Sequence, residues 1–498
     1  MFQIKAVFLA TGFFMFAVWG MNVDNNLLSI TDFGAVPNDG KDDSVAIQKC
    51  VDTAAKAGKA CFIPEGKYDL SNHLWLGTNA TLFGAGEKSV LEFSAGCIRA
   101  LKNGNKQFYY TGNYNNERIA GKRKLGTLTK AVEKGQRTFF VKTKDEFKAG
   151  DWIFINNNRK DTWTILEKQS KGRDTAAYLN GRKDVLAKGQ IAEIVSVTGN
   201  QITMDRELDA GYEAGSVIGN HVGARNICVR DLAILNNSDA NRAYAMEFEQ
   251  PFGFVLKNLA IKTTMGAGGI RLVHYAFRCL VENCTITNSG KYAVSIANFC
   301  SENKVLNNDV TFVIGGDCAI LVMMYSKQNW IVNNTVNCLS MLNNNEGGIY
   351  IHATSFENKV LHNTIKGASA AIGAYYGANN NLFKGNTAVN SNTGISLWYA
   401  GANNLFEDNK FSFGKTRRPG KYAGIRSYCS QSTQLDRNVF SGELDFGCVV
   451  TPEKKYSFQK LGTQKYLFSG MGLEFKSDIC LNGNHFRSTK PSFNELNK

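Results

Sequence analysis

Three groups of residues in this chain carry side chains suited to acid–base chemistry. Tyr350 and His352 stand two apart in Ile349-Tyr-Ile-His352, with Tyr375 further on. A phenol and an imidazole can act as acid and base, as removal of the C5 proton of a uronate and protonation of its leaving oxygen require. Glu247 and Glu249 are also two apart, and Arg271 follows them. Two carboxylates so spaced can be acid and base of an inverting glycoside hydrolase, or hard oxygen ligands for calcium. The plainer readings are a surface His bonded to a loop and a Glu247–Arg271 surface ion pair. The third group is Asp317, in Gly315-Gly-Asp-Cys-Ala-Ile320, where a turn cap is the plain alternative.

The elements that must hold these residues repeat. Nine times between residues 227 and 440 a short apolar alternation is closed by Asn or Asp: Asp231, Asn258, Asn283, Asn308, Asn334, Asn363, Asn386, Asn409 and Asn438. By subtraction the spacings lie between 23 and 29 residues, a period that marks a solenoid. Units such as Asn329-Trp-Ile-Val-Asn-Asn-Thr-Val336 and Asn358-Lys-Val-Leu-His-Asn-Thr-Ile365 are too short for helices and rich in β-branched residues, so they read as strands broken at the Asn. Asn tolerates the left-handed conformation that a corner needs, and its amide can bond the Asn one coil above. The expectation is a parallel β-helix with an asparagine ladder.

A second alternating strand follows each corner: Met246-Glu-Phe-Glu249, Ile270-Arg-Leu-Val273, Val294-Ser-Ile-Ala297, Ile320-Leu-Val-Met323, Ile349-Tyr-Ile-His352, Ile372-Gly-Ala-Tyr375, Ile395-Ser-Leu-Trp398 and Ile425-Arg-Ser-Tyr428. First and third positions are almost wholly apolar and point inward, so the second and fourth are expected to face solvent. The outward columns place Glu247, Glu249, Arg271, Tyr350 and His352 on one face as catalytic candidates. Tyr375, Trp398, Tyr428, Arg426 and His274 join them as candidate substrate contacts, since aromatic faces cover the apolar faces of pyranose rings. Glu247 and Glu249 remain possible calcium ligands.

Composition narrows the partners. Hydrophobic content of 43% with 20% charged residues is that of a folded protein. The net charge is +14, with basic residues crowded at Lys102, Lys106, Arg118, Lys122, Arg123, Lys124, Lys130, Lys134 and Arg137 and again at Lys415, Arg417, Arg418 and Lys421. Residues 1–20 read as a signal peptide, with Lys5 before an apolar run too short for a membrane span. For an exported chain this field points to an acidic polysaccharide before nucleic acid, with no membrane contact once the leader is removed and a monomer as the expected state. Of the twelve cysteines, Cys228, Cys279, Cys284, Cys300, Cys318, Cys338 and Cys429 recur inside the repeats and read as small core residues, while Cys50 and Cys61 form the expected bridge. No Cys-x-x-Cys or His cluster suggests zinc.

The start of the chain carries Ile30-Thr-Asp-Phe-Gly-Ala35, Asn38-Asp-Gly-Lys-Asp-Asp43, a helical stretch containing Ala46, Ile47 and Gln48, and Phe62-Ile-Pro-Glu-Gly-Lys-Tyr68. Asp42 or Asp43 can cap that helix, Ile47, Val51 and Ala54 share one face, and Gly58 stops it. This segment resembles the opening of the pectate-lyase-like right-handed β-helix superfamily, and with the repeats the resemblance covers about two-thirds of the chain. It implies an all-β, right-handed parallel β-helix with an N-terminal capping helix and an inserted β-rich subdomain. The expected divisions are 26–100 for the cap and first coils, 101–222 for the insertion, 223–445 for the β-helix and 446–498 for the C-terminal coil and cap. The insertion is expected to wall the substrate cleft and offer its lysines to the ligand.

The superfamily holds lyases, hydrolases, epimerases and tailspikes, so it implies a carbohydrate ligand without choosing a reaction. Tyr350 and His352 are similar to residues used by alginate lyases and epimerases. Glu247 and Glu249, with an Arg one coil on, are similar to the calcium-binding pair of chondroitinase-B-like lyases and to the paired acids of iota-carrageenases. Gly315-Gly-Asp-Cys resembles a polygalacturonase motif with Gly316 where the first catalytic Asp belongs, and its partner motifs are missing from the adjoining coils. The leading expectation is a secreted or periplasmic polysaccharide lyase acting at a uronate, followed by a hydrolase using Glu247 and Glu249, then by a non-catalytic glycan-binding or adhesive β-helix.

Overall fold

Short β-branched strands broken every few residues by corner residues can bury their apolar side chains only by stacking on copies of themselves. In the computed structural model each strand of the repeat pairs in parallel with its counterpart one coil on, from Cys228–Asn236 through Thr433–Asp436. The structure describes residues 26–100, 124–157 and 187–487, apart from the segments 238–243, 265–266, 289–291, 313–317, 340–346, 399–400, 402, 415–422, 429–432, 443–445, 452–456, 462–464, 471–472, 478 and 483–484. The leader, the basic clusters at 102–123 and 415–421, Asp317 and Cys429 lie outside the described residues, as does the side chain of Tyr428.

One wall of the tube is a 22-stranded parallel array that bends at the corners, and the other is an 11-stranded parallel sheet. Between them runs a single apolar core, from Ile30 through Ile296 to Phe440. Within it aromatic rings stack coil on coil, Phe383 on Phe406 at 4.2 Å and Phe411 on Phe440 at 5.0 Å. The helix Ser44–Ala57 buries Ile47, Cys50, Val51 and Ala54 in this core and ends at Gly58, whose φ of 65° is left-handed. Asp42 accepts from the Ser44 N–H at 3.0 Å and the Ser71 N–H at 3.1 Å, tying the helix start to the first coil. Cys50 and Cys61 do not form the expected bridge: both are free thiols, buried in the core with their sulfurs 2.9 Å apart.

The asparagine pattern resolves into two adjacent columns where the sequence suggested one. The left-handed corner is held by Asp231, Asn258, Asn283, Asn307, Asn333, His362, Gly385, Asp408 and Arg437. The residue after each corner points inward, and from Asn308 onward it is the ladder Asn. Asp231, Asn258 and Asn283 therefore belong to the corner column, one register off the ladder. Asn308, Asn334, Asn363, Asn386 and Asn409 each pass Nδ2–H to the Oδ1 of the next, ending at Asn438, at 2.8 to 2.9 Å. A second ladder, which the repeat analysis did not separate, runs through Asn303, Asn329, Asn358, Asn381 and Asn404. All are buried and fully bonded. Leaving one such polar group unpaired costs about 1–3 kcal/mol, so the two ladders fix the register of every coil they run through.

The insertion is a closed six-stranded barrel, made of Leu125–Leu128, Thr138–Thr143, Trp152–Asn156, Gly189–Thr198, Gln201–Met204 and Val217–Asn220. It docks on the corners that follow the 11-stranded sheet. Phe154 stacks on Tyr275 at 4.7 Å, Asn156 donates to the Tyr275 hydroxyl at 2.7 Å, and Trp152 packs on Phe252 and Phe277. Arg206 bridges to Glu302 at 2.7 Å, and Asp209 pairs with Lys327. The barrel's basic residues are partly spent on themselves: Lys124 pairs with Asp151 at 2.7 Å and Arg137 with Glu207 at 3.4 Å.

Candidate functional site

The outer face of the 11-stranded sheet carries the expected residues on the expected rungs. Glu247 pairs in register with Arg271, then Ser295, Leu321, Tyr350, Gly373, Ser396 and Arg426 follow. Beside them run Glu249, Val273, Ala297 and Met323, and further on Tyr375, Trp398 and Tyr428. The expectation that both columns face solvent fails at most positions, with Trp398 open. Glu247 and Glu249 are each 5% exposed, and Val273, Ala297, Leu321, Met323, Met324 and Tyr350 form a second apolar cluster outside the tube. Alternation separates the inside of a strand from its outside, and parallel sheets are commonly covered on both faces.

At one end of this face charged groups interlock. Glu247 lies between two guanidiniums: Arg271 Nη1 donates to Oε1 at 3.1 Å, and Arg99 Nη2 to Oε2 at 3.4 Å. Burial pushes the Glu247 carboxyl up, while Arg271 and Arg99 pull against it. Arg99 is stacked over Trp75 and Arg271 over Tyr244. His274 occupies a left-handed corner directly after the strand Gly268–Val273. Its Nδ1 lies 3.4 Å from Glu249 Oε1.

Calcium does not fit this end. Both Glu247 oxygens carry guanidinium contacts, and two fixed cations repel a third. Among the described residues no group of three or more His, Cys, Asp or Glu side chains is placed to hold a metal ion.

Further along the face, Tyr350, His352 and Tyr375 do come together. Tyr350 and Tyr375 have ring centroids 4.6 Å apart, and His352 stacks on Tyr375 at 5.7 Å and 22°. Arg271 is not part of this group: it stands three rungs from Tyr350, about 14 Å away at the spacing of stacked strands. A single centre built of His352, Tyr350 and Arg271 is therefore excluded. Burial pulls the His352 imidazole down to about 3 and pushes the Tyr350 phenol far up, so both are poor proton carriers near neutral pH.

Arg99 and Trp75 escaped the sequence reading because the barrel, inserted between residues 101 and 222, separates their coils from the periodic ones. The alternations Leu74-Trp-Leu76 and Ile98-Arg-Ala100 were the available signal. The strands pair Trp75 with Arg99 and Arg99 with Glu247.

The rhamnogalacturonase A/epimerase, pectate lyase-like family model matches residues 27–291, more than half of the chain. The chain belongs to that family. A second family, described as periplasmic copper-binding protein (NosD), matches this pectate-lyase-like chain over residues 218–419 and 338–460. No curated protein matches it in sequence. Among solved structures it is similar to the tailspike gp61 of Pseudomonas phage phi297, at 14% identity and a TM-score of 0.56 over 93% of this chain and 80% of that one. It is also similar to the tailspike gp49 of Pseudomonas phage LKA1, at 15% identity and a TM-score of 0.54 over 85% of this chain and 78% of that one. Likeness at that identity shows the shared β-helix fold.

Proposed function

We propose that this protein is an exported carbohydrate-active enzyme, a lyase that cleaves an acidic polysaccharide by β-elimination at a uronate. Membership of the rhamnogalacturonase A/epimerase, pectate lyase-like family supports the carbohydrate ligand. A secreted or periplasmic location is supported by the signal-like start and the periplasmic family match. The observation that carries the reaction is the contact of His274 with Glu249 beside the Arg99 and Arg271 guanidiniums.

The two guanidiniums draw in the uronate carboxylate and stabilise the charge that develops on it when the C5 proton leaves. Glu249 lies 3.4 Å from His274 Nδ1, close enough for its charge to stabilise the imidazolium that forms when Nε2 accepts the proton. The C5 proton moves to Nε2, the C4–C5 double bond forms as the C4–O bond breaks, and the departing oxygen takes up a proton. Glu247 positions both arginines.

Alginate, pectate and glycosaminoglycans, tested with and without chelator, should include a substrate that yields unsaturated, ultraviolet-absorbing ends. Arg271→Ala and His274→Ala should lose this activity, and full turnover in either sinks the assignment. Hydrolysis by Glu247 and Glu249 is the second reading. It is favoured by their strand spacing, about 7 Å for residues two apart, within the range of inverting enzymes. Reducing ends without unsaturation would select it. Glycan binding with no turnover on any substrate would select an adhesive role instead.

A further inference from the structure

The aromatic end of the face is idle in the reaction above, yet it is built with some care. Tyr375 folds its ring back across Gly373, where a Cβ would lie 2.4 Å from Tyr375 Cε2. Only glycine leaves room for a ring lying flat over that rung. The ring is pinned from two sides: its hydroxyl donates to Ser396 Oγ at 2.8 Å, and Tyr350, buried beneath, is in ring contact with it. His352 stacks on Tyr375 with ring planes 22° apart, and Tyr376 stands against His352 edge-on at 4.7 Å. Trp398, directly in register with Tyr375 on the next strand, is 37% exposed, one of the few large apolar side chains so open among the described residues. Arg426 follows one rung past Ser396.

We propose that Tyr375, Tyr376, His352 and Trp398 form a sugar-binding platform, separate from the charged centre, that holds pyranose rings of a long acidic oligosaccharide. A half-buried cluster of aromatic rings with an exposed indole beside it suits the apolar face of a sugar ring, and the polar tips at its edge suit the hydroxyls. Arg426 supplies the positive charge that an acidic chain requires. Counting paired strands from Glu247, the platform occupies the fourth to sixth rungs, about 19 to 29 Å away at the spacing of stacked strands. A ligand that touches both ends must therefore be a polymer or a long oligosaccharide. His352 takes part as a neutral stacking and hydrogen-bonding group.

The inference rests on the proposed reading for its ligand class, and its test is arranged so that the two can fail apart. Affinity electrophoresis and titration calorimetry would use the full chain carrying Arg271→Ala, to prevent cleavage, with alginate, pectate and glycosaminoglycans as probes. Adding Trp398→Ala or Tyr376→Ala should weaken binding of polymer roughly tenfold or more, as loss of an aromatic anchor does. The deficit should shrink as the probe is shortened below the span of the face. Gly373→Ala should act in the same direction by displacing Tyr375. Unchanged polymer affinity in Trp398→Ala and Tyr376→Ala proteins that melt like the parent overturns the platform, even if the wild type is a lyase. Tryptophan-dependent binding by a wild type that cleaves nothing keeps the platform and overturns the lyase.

Discussion

The two ends of one sheet face solve different problems with the same geometry. At the charged end, Arg99, Glu247 and Arg271 alternate in sign from rung to rung, and each side chain is held by its neighbours. At the aromatic end, Tyr350 and Tyr375 are held by ring contact and by the hydroxyl bonds of Tyr375, with Trp398 in register on the next strand. The barrel stands beside the first end, docked on Phe252, Tyr275, Phe277 and Phe299. Its described contacts reach Lys327. A parallel stack turns sequence period into distance, so a change of residue type along one column becomes a change of chemistry along the face. Charge that must be precise is buried and cross-braced, and contact area that must be tolerant is left flatter and more open.

The contrast is broken most forcefully at Glu247. Glu247→Ala leaves two part-buried guanidiniums facing each other and should cost about 3 kcal/mol of stability, read as a fall in the urea midpoint. Tyr375→Phe, which loses the hydroxyl bonds to Ser396 and Tyr350 but buries no unpaired charge, should cost about 1–2 kcal/mol. Equal losses would mean that the two ends are not built differently. Next comes turnover: Arg271→Ala should lower kcat roughly a hundredfold or more, as removal of a transition-state cation does, while His352→Ala should lower it far less. The reverse order would return the chemistry to the His–Tyr pair.

A smaller effect lies in pH. Burial lowers the His352 pKa from 6.5 to about 3, so between those values the unfolded chain binds a proton that the folded chain refuses. Stability is fully present above 6.5 and falls on acidification through that window, by at most about 1.4 kcal/mol per pH unit. His73 is depressed in the same window, to about 4, so the test is the difference between wild type and His352→Asn, whose stability should fall less steeply with acid. Parallel curves would place His352 in water. The smallest expected change is at the exposed Trp398. Trp398→Ala should leave the melting temperature within about a degree or two, since surface substitutions usually stay within ±0.5 kcal/mol, while weakening polymer binding.

Much of the site was legible because the solenoid converts sequence into coordinates. The pairing of Met246 with Ile270, and onward to Ile425, follows from aligning apolar alternation, so the rung of every candidate after residue 244 could be read directly. Arg99 could not, because the barrel interrupts the period between its coil and the next. The ladder was placed one residue off in the first three coils, since Asn serves both as left-handed corner and as inward amide, and only the fold separates the two uses. The burial of Glu247 and Glu249 was also invisible, because alternation says which side of a strand a residue takes and nothing about what covers that side.

The amino-acid sequence by itself determined the β-helix, the register of its nine periodic coils, the sharing of one face by Glu247, Glu249, Arg271, Tyr350 and His352, and the net positive charge. These follow from local periodicity and composition, which need no partner to be read. The tertiary structure alone decided that Arg99 completes the guanidinium pair, that His274 turns to Glu249, and that Arg271 and His352 belong to different ends. Those facts depend on side chains from distant coils meeting across strands, and hydrogen bonds of that kind have no period in the chain.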